Sequence, residues 1–277
     1  MIKAAVIGDP ISHSLSPKIH NFFLEKYQIN GSYQAIQITK DDLEKEVLSL
    51  INQGFAGFNI TLPHKETIFK LCHYKSKSAI LSGAVNTIII TEDKKLFGHN
   101  SDIDGFLNNL KNHAPDFNLN NKNAFVIGAG GAARAIVYGL IKSGVKKIYI
   151  TNRNSKKAQN LIQDFCAFKT EILFCEMAEF CKNLNNCDLL INSTSLGMQG
   201  QEKLLIDLSQ LNKNALIYDI VYKPLMTDLL LAAQNRGNRI ITGIGMLVEQ
   251  ALIGFELWFK EKPINDKKLE EILLKNL

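Results

Sequence analysis

The run Gly128-Ala129-Gly130-Gly131-Ala132-Ala133 constrains this chain more than any other segment. Before it stand Ala124-Phe125-Val126-Ile127, which read as a buried strand, and after it comes helix-like sequence over 134–142. A second strand over 146–151 completes β-α-β within the roughly 30 residues that such a unit needs. Gly128, Gly130 and Ala133 fill the pattern G-x-G-x-x-G/A in the strand-turn-helix context that gives the pattern meaning. Gly128 permits the turn. The missing Cβ at Gly130 leaves room for a pyrophosphate at the helix N-terminus, where free N–H groups and the positive dipole end stabilise its charge. A small residue at 133 lets the helix pack close to the strand.

The end of the second strand speaks to which dinucleotide is held. Sites for NAD place an acid there, about 20 residues after the glycines, to accept from the ribose hydroxyls. This strand ends Thr151-Asn152-Arg153-Asn154, with Lys156 and Lys157 beyond and no acid. A guanidinium matches a 2′-phosphate by charge-assisted hydrogen bonds, so the expected cofactor is NADP. A solvated Arg153 with no ligand is the competing reading.

Upstream, strand-like runs over 4–8, 33–38 and 55–60 alternate with helix-like runs over 17–27 and 41–51, and 86–91 with 95–98 read as a short strand pair. That order implies a mixed, mainly parallel sheet covered by helices. The Asn-rich stretch 118–123 reads as a loop between domains. Further strands are expected over 189–192 and 215–218. A closing helix over 245–259 presents Leu247, Ala251, Phe255 and Trp258 on one face. The fold class is therefore α/β, with an N-terminal substrate domain over 1–101, a Rossmann domain over 102–242, and residues 243–277 returning to the first domain.

Composition narrows the function. The 277 residues are 46% hydrophobic, enough for packed cores without staples. Five cysteines form no C-x-x-C pair, and six histidines form no H-E-x-x-H, so no metal is expected. The net charge of +5 is spread among interspersed acids, which argues against nucleic acid as a partner. No apolar run approaches the roughly 20 residues of a membrane span, and the N-terminal apolar run is too short for a signal peptide. A cytoplasmic chain, monomer or homodimer, with a small-molecule substrate is expected.

Four polar islands remain: Ser12-His13-Ser14-Leu15-Ser16-Pro17, Asn59-Ile60-Thr61-Leu62-Pro63-His64-Lys65, Gly83-Ala84-Val85-Asn86-Thr87 and Gly98-His99-Asn100-Ser101-Asp102. Each is expected to follow a strand, and strand carboxyl ends are where open α/β sheets bind ligands. Turn and capping chemistry competes for each one singly, with Ser16 before Pro17 a good N-cap.

These islands, with G-A-G-G-A-A-R-A, N-R, N-S-T-S-x-G-M, D-x-x-Y-x-P and G-x-x-M-L-x-x-Q-A behind them, resemble the shikimate dehydrogenase family over nearly the whole chain. The resemblance implies reduction of 3-dehydroshikimate to shikimate with NADPH, a step of aromatic amino-acid biosynthesis. It places the catalytic pair on Lys65 and Asp102 and the carboxylate-binding hydroxyls on Ser14 and Ser16. Asn59, Thr61, Asn86, Tyr222 and Gln250 match residues that contact the ring hydroxyls or line the pocket. Cofactor contacts fall on Gly128, Ala129, Gly130, Gly131 and Ala132, on Asn152, Arg153, Asn154 and Lys157, and on Ile220 and Gly243, with Thr194 and Ser195 beside the nicotinamide. Three positions depart from the family: Ser101 for Thr, Lys157 for Arg and Asp228 for Pro.

Oxidising an alcohol removes a hydride from carbon and a proton from oxygen, and the reverse needs an acid; Lys65 has the reach and Asp102 the countercharge. A quinate/shikimate dehydrogenase of broader range shares this fold. A non-catalytic NADP-binding regulator is the reading from another class, and the presence of both Lys65 and Asp102 argues against it.

Overall fold

Strand β1 (Ile2–Gly8) is apolar without alternation, and Ala4, Ala5, Val6 and Ile7 are all buried, as a strand covered on both faces must be. The computed structural model describes residues 1–277 and divides into two units. The first comprises Met1–Gly105 with Leu247–Asn276, the second Phe106–Met246 with the final Leu277.

In the first unit β1 is followed by α1 (Ser16–Lys26), β2 (Gly31–Gln37), α2 (Leu43–Asn52), β3 (Gly57–Ile60), α3 (Lys65–Leu71), β4 (Tyr74–Lys75), α4 (Lys77–Ser82), β5 (Thr87–Ile90) and β6 (Leu96–His99). The sheet order is β2-β1-β3-β5-β6-β4. β1 runs parallel to β2 and β3, and β4 parallel to β6, while β5 is antiparallel to both its neighbours. One face packs Ala5, Ile7, Phe58, Ile60 and Ile88 against Leu43, Val47 and Leu50 of α2 and Ile68 of α3. An aromatic cluster of His20, Phe23, Tyr33, Phe255 and Trp258 lies elsewhere in the unit. Phe255 and Trp258 come from the closing helix, α10 below, and Trp258 Nε1 donates to Ile88 O at 2.8 Å. Burying a side chain the size of Phe255 contributes roughly 1.5–3 kcal/mol.

The chain leaves the first unit within α5 (Asp102–His113). There follow β7 (Asn123–Ile127), α6 (Gly131–Lys142), β8 (Lys147–Thr151), α7 (Ser155–Asp164), β9 (Glu171–Phe174), α8 (Met177–Lys182), β10 (Leu189–Asn192), β11 (Leu216–Asp219), α9 (Asp228–Asn235) and β12 (Arg239–Ile241). It returns within α10 (Ile244–Phe259) and ends in α11 (Lys267–Leu274). The second sheet has the order β12-β11-β10-β7-β8-β9, every pair parallel. Counted from β7, that is the doubly wound order 3-2-1-4-5-6 of dinucleotide-binding sheets, with its reversal between β7 and β10.

Several expectations change. The Asn-rich stretch 118–123 lies inside the second unit, before β7, and the crossing falls within a continuous helix. Helix α6 begins at Gly131, three residues before the apolar pattern suggests, because small residues can open a helix that Gly130 starts from extended backbone. The five cysteines, which by composition are expected to be small buried hydrophobes, are all free, but only Cys72, Cys175 and Cys187 are buried, with Cys181 half-buried and Cys166 exposed. No helix is long and apolar enough to cross a membrane.

Candidate active site

The register of the first sheet explains how three of the polar islands meet. Asn59 pairs with Thr87, and Thr87 with His99, so the ends of β3 and β6 and the start of β5 share one edge. The island 83–87 therefore leads into a strand and does not follow one. It reaches the same edge because β5 runs the opposite way. Lys65 opens α3, and Val85 N donates to its carbonyl at 3.1 Å. Asp102 opens α5, where Asn100 Oδ1 accepts from its N–H at 3.0 Å. Asn100 is fully buried and held by Ser82 Oγ and Ala84 O.

From these positions Lys65 Nζ is bonded to Asp102 Oδ2. Their side chains are 15% and 7% exposed, so the pair is sheltered yet reachable. Asn86 Nδ2 donates to Asp102 Oδ1 at 2.8 Å, and Asn86 Oδ1 accepts from Ser101 N at 2.8 Å and Thr87 Oγ1 at 2.9 Å. Asn59 Nδ2 donates to Asn86 O and Thr87 Oγ1, both at 3.2 Å, and its Oδ1 accepts from Tyr33 Oη at 2.6 Å. Ser101 keeps a hydroxyl in this network despite replacing Thr.

Ser16 is the first residue of α1 and buried, not its N-cap; Leu15 holds that place, and Ser14 Oγ accepts from Ser16 N at 3.3 Å. Thr61 is half-buried after β3, its N–H donating to Ile7 O at 3.0 Å. Gln250, on α10, is buried and donates to Leu247 O at 2.8 Å. Thr61 and Gln250 thus belong to the first unit without a bond to the Lys65 pair, and Tyr222 belongs to the second unit.

In the second unit Gly128 has φ +114, a conformation that side chains rarely adopt, and a Cβ there would lie 2.6 Å from Ser193 Oγ. Ala129 is buried behind it, and Gly130 caps α6, whose first residues are Gly131 and Ala132. A Cβ at Gly130 would meet nothing within 4 Å, so the backbone there faces open space. That fits a pyrophosphate at a helix N-terminus. Arg153 and Lys157 are exposed and make no ion pair, while Asn152 Nδ2 donates to Asn154 O and Asn154 Oδ1 caps α7. The residues present fit NADP.

The loops after β10, β11 and β12 are tied by a group the sequence reading did not single out. Asp219 is fully buried and accepts from Asn192 Nδ2, Val221 N and Thr227 Oγ1 at 2.9, 2.9 and 2.7 Å. Burial pushes its carboxyl up to about 6, against those three donors. Asn192 Oδ1 in turn accepts from Thr194 N and Oγ1, and Ser195 follows half-buried. Gly243 lies so close to Ile220 that a Cβ would stand 2.2 Å from its carbonyl oxygen. Thr227 caps α9 through Leu230 N, so Asp228 for Pro alters only a helix start. The D-x-x-Y-x-P pattern contains Asp219, but a strand-end acid gives no sign of burial.

Comparison with known proteins places the whole chain. Residues 6–88 match the shikimate dehydrogenase substrate binding domain, 110–223 shikimate / quinate 5-dehydrogenase, and 243–270 the shikimate 5'-dehydrogenase C-terminal domain. A shikimate dehydrogenase (NADP(+)) of Paramagnetospirillum magneticum is 42% identical over 98% of this chain and 97% of its own. Among solved structures, shikimate 5-dehydrogenase from Thermus thermophilus in complex with NADP(H) and shikimate superposes with a TM-score of 0.87 at 32% identity, covering 100% of both chains. Quinate dehydrogenase from Corynebacterium glutamicum in complex with NAD gives 0.89 at 28% identity over 99% of each. The chain belongs to the shikimate dehydrogenase family.

Proposed function

We propose that this protein interconverts 3-dehydroshikimate and shikimate, with NADPH and NADP, and that Lys65 and Asp102 handle the proton. The observation that carries this reading is the sheltered Lys65–Asp102 pair, held at a sheet edge by Asn86. When bound, NADPH supplies a hydride. Gly130, Gly131 and Ala132 would hold its pyrophosphate at the start of α6, with Arg153 and Lys157 toward the 2′-phosphate. In the reductive direction the Lys65 ammonium delivers a proton to the ketone oxygen as negative charge develops there, and Asp102 balances the lysine throughout. In the oxidative direction the same amine receives the hydroxyl proton.

Ser14 and Ser16 are read as donors to the substrate carboxylate. Asn59 has both N–H groups engaged by the protein, which favours a pocket-lining role for it. Thr61, Asn86, Tyr222 and Gln250 complete the substrate side, and Thr194, Ser195, Ile220 and Gly243 the nicotinamide side. A cytoplasmic location and a monomeric or homodimeric state belong to the same reading.

The test is turnover followed at the nicotinamide absorbance, with shikimate and with quinate. Quinate carries an added hydroxyl on the carboxylate-bearing carbon, and a hydroxyl buried without a partner costs roughly 1–3 kcal/mol. We expect kcat/KM about 5- to 150-fold lower for quinate. Equal values would move the protein to the broader quinate/shikimate class, and no turnover of either would remove the enzymatic reading.

A further inference from the structure

The hydrogen bonds of the first unit form one continuous chain, and its proton directions can be worked out. The Asn86 carbonyl can only accept, so the nitrogen end of Asn59 must face it. The oxygen end then faces Tyr33, and a carbonyl oxygen also only accepts, so the Tyr33 hydroxyl donates across the 2.6 Å contact. The proton of Tyr33 is thereby committed. Beyond Asn59, Thr87 Oγ1 donates to Asn86 Oδ1, Asn86 Nδ2 donates to Asp102, and Asp102 holds Lys65.

Tyr33 has the surroundings of a fixed group. It is buried on β2, its ring lies 3.9 Å from that of His20 in a stacked arrangement, and burial holds its phenol well above the ordinary range. It therefore stays a donor at any working pH. His20, driven down to about 3 by burial, is a neutral aromatic wall and takes no part in proton transfer near neutrality.

We propose that Tyr33 is a positioning residue of the substrate half of the site: its hydroxyl anchors the oxygen end of the Asn59 amide and, through Thr87 and Asn86, supports the placement of Asp102. This inference rests on the roles proposed above for Ser16, Lys65 and Asp102. Removing the hydroxyl leaves a buried amide oxygen without its donor, and the Asn59 amide is then held only by the two 3.2 Å bonds of its nitrogen end.

The experiment is steady-state kinetics of Tyr33→Phe, Thr87→Val and the double variant, each at a temperature where circular dichroism shows it folded. Tyr33→Phe should lower kcat/KM for shikimate about 5- to 30-fold, the consequence of an unpaired buried acceptor, and leave the KM for NADP within about 2-fold. Thr87→Val breaks the chain one step beyond Asn59 and should show the same pattern. The two losses should not multiply in the double variant, because both act on Asn86 through the one path that runs by Asn59 and Thr87. His20→Phe disturbs the same aromatic cluster without touching the hydroxyl, and should leave kcat/KM within about 2-fold. Multiplying losses, an equal rise in the KM for NADP, or a His20→Phe defect as large as that of Tyr33→Phe would overturn the proposal in favour of general packing. Ser16→Ala and Lys65→Ala, run alongside, separate the two layers. If they leave shikimate turnover intact, the underlying site assignment fails; if they impair it and Tyr33→Phe does not, only the role of Tyr33 fails.

Discussion

At the scale of single residues, the proposed chemistry rests on two cations in very different settings. Lys65 is sheltered and paired; Arg153 is exposed and unpaired. Lys65→Ala removes the group proposed to give or take the proton and leaves the side chain of Asp102 to Asn86. We expect kcat to fall about 100-fold or more, with a smaller change in shikimate binding. A rise in KM with kcat intact would make Lys65 a binding residue. Arg153→Ala should raise the KM for NADP by about 10-fold or more, the loss of a charge-assisted bond, and change that for NAD little. Equal effects on the two cofactors would remove the phosphate role. Arg153 stood out in the sequence because no acid ends the second strand of the dinucleotide unit, and Lys65 because it closes a strand-end polar island that resembles the family's. Asp219 and Asn100 lay in quoted motifs without a role and Tyr33 in none, because their importance lies in burial and partners. An acid at a strand end, an asparagine before a helix and a tyrosine within a strand are each ordinary until the fold surrounds them.

At the scale of elements, what the sequence made legible were the long periodic or continuously apolar runs: β1, α1, α2, β7, β8, β10 and α10 lie close to where pattern puts them. The short elements escaped. Helix α3 has seven residues and begins only where a polar island ends, at Lys65, β4 has two residues, and β9 is half-exposed along its length. Periodicity needs more residues than these contain. Glycines show how the same letter can carry opposite meanings. Gly130→Ala adds a methyl to open space at φ −93, so thermal stability should be unchanged while the KM for NADP rises, because the methyl occupies the place read for pyrophosphate. Gly243→Ala drives a methyl into the Ile220 and Val221 carbonyls, 2.2 and 2.8 Å away, and the loops after β11 and β12 must separate. It should cost about 1–3 kcal/mol of stability, as overpacking does. Thermal melts and cofactor titrations of the two variants check this, and a stability loss at Gly130 as large as that at Gly243 would contradict the reading of open space.

At the scale of the whole molecule, the two units bury titratable groups whose effects on stability have opposite signs, His20 in the first and Asp219 in the second. His20, in the first unit, has its imidazole lowered from 6.5 to about 3 by burial, and the nearby Asn59 opposes this only weakly, neither ring nitrogen having a well-formed hydrogen bond. The unfolded chain therefore binds a proton below pH 6.5 that the folded chain refuses, and stability falls as pH drops through the window from 6.5 toward 3. Between pH 6.5 and 4.5 the loss is roughly 2 kcal/mol. Asp219, in the second unit, has its carboxyl raised from 3.8 to about 6, so the folded chain keeps a proton that the unfolded chain releases. Its contribution is fully present below 3.8 and is lost as pH rises through 6; acidifying from 6 to 4.5 restores about 1.5 kcal/mol. Mild acid should therefore loosen the first unit while the second holds. Hydrogen exchange at pH 4.5 should show protection falling across β1, β2 and α1 before it falls across β7, β8 and β10, as expected when local opening follows local stability. His20→Phe keeps the ring stacked on Tyr33 and removes the titration, so it should restore protection to the first unit at pH 4.5 and change nothing at pH 7.5. Asp219→Asn retains an acceptor for Val221 and removes the other titration, so the second unit should lose its gain in acid. Loosening of both units in parallel, or of the first unit equally in His20→Phe, would mean that surface carboxylates and not these two buried groups set the response to acid.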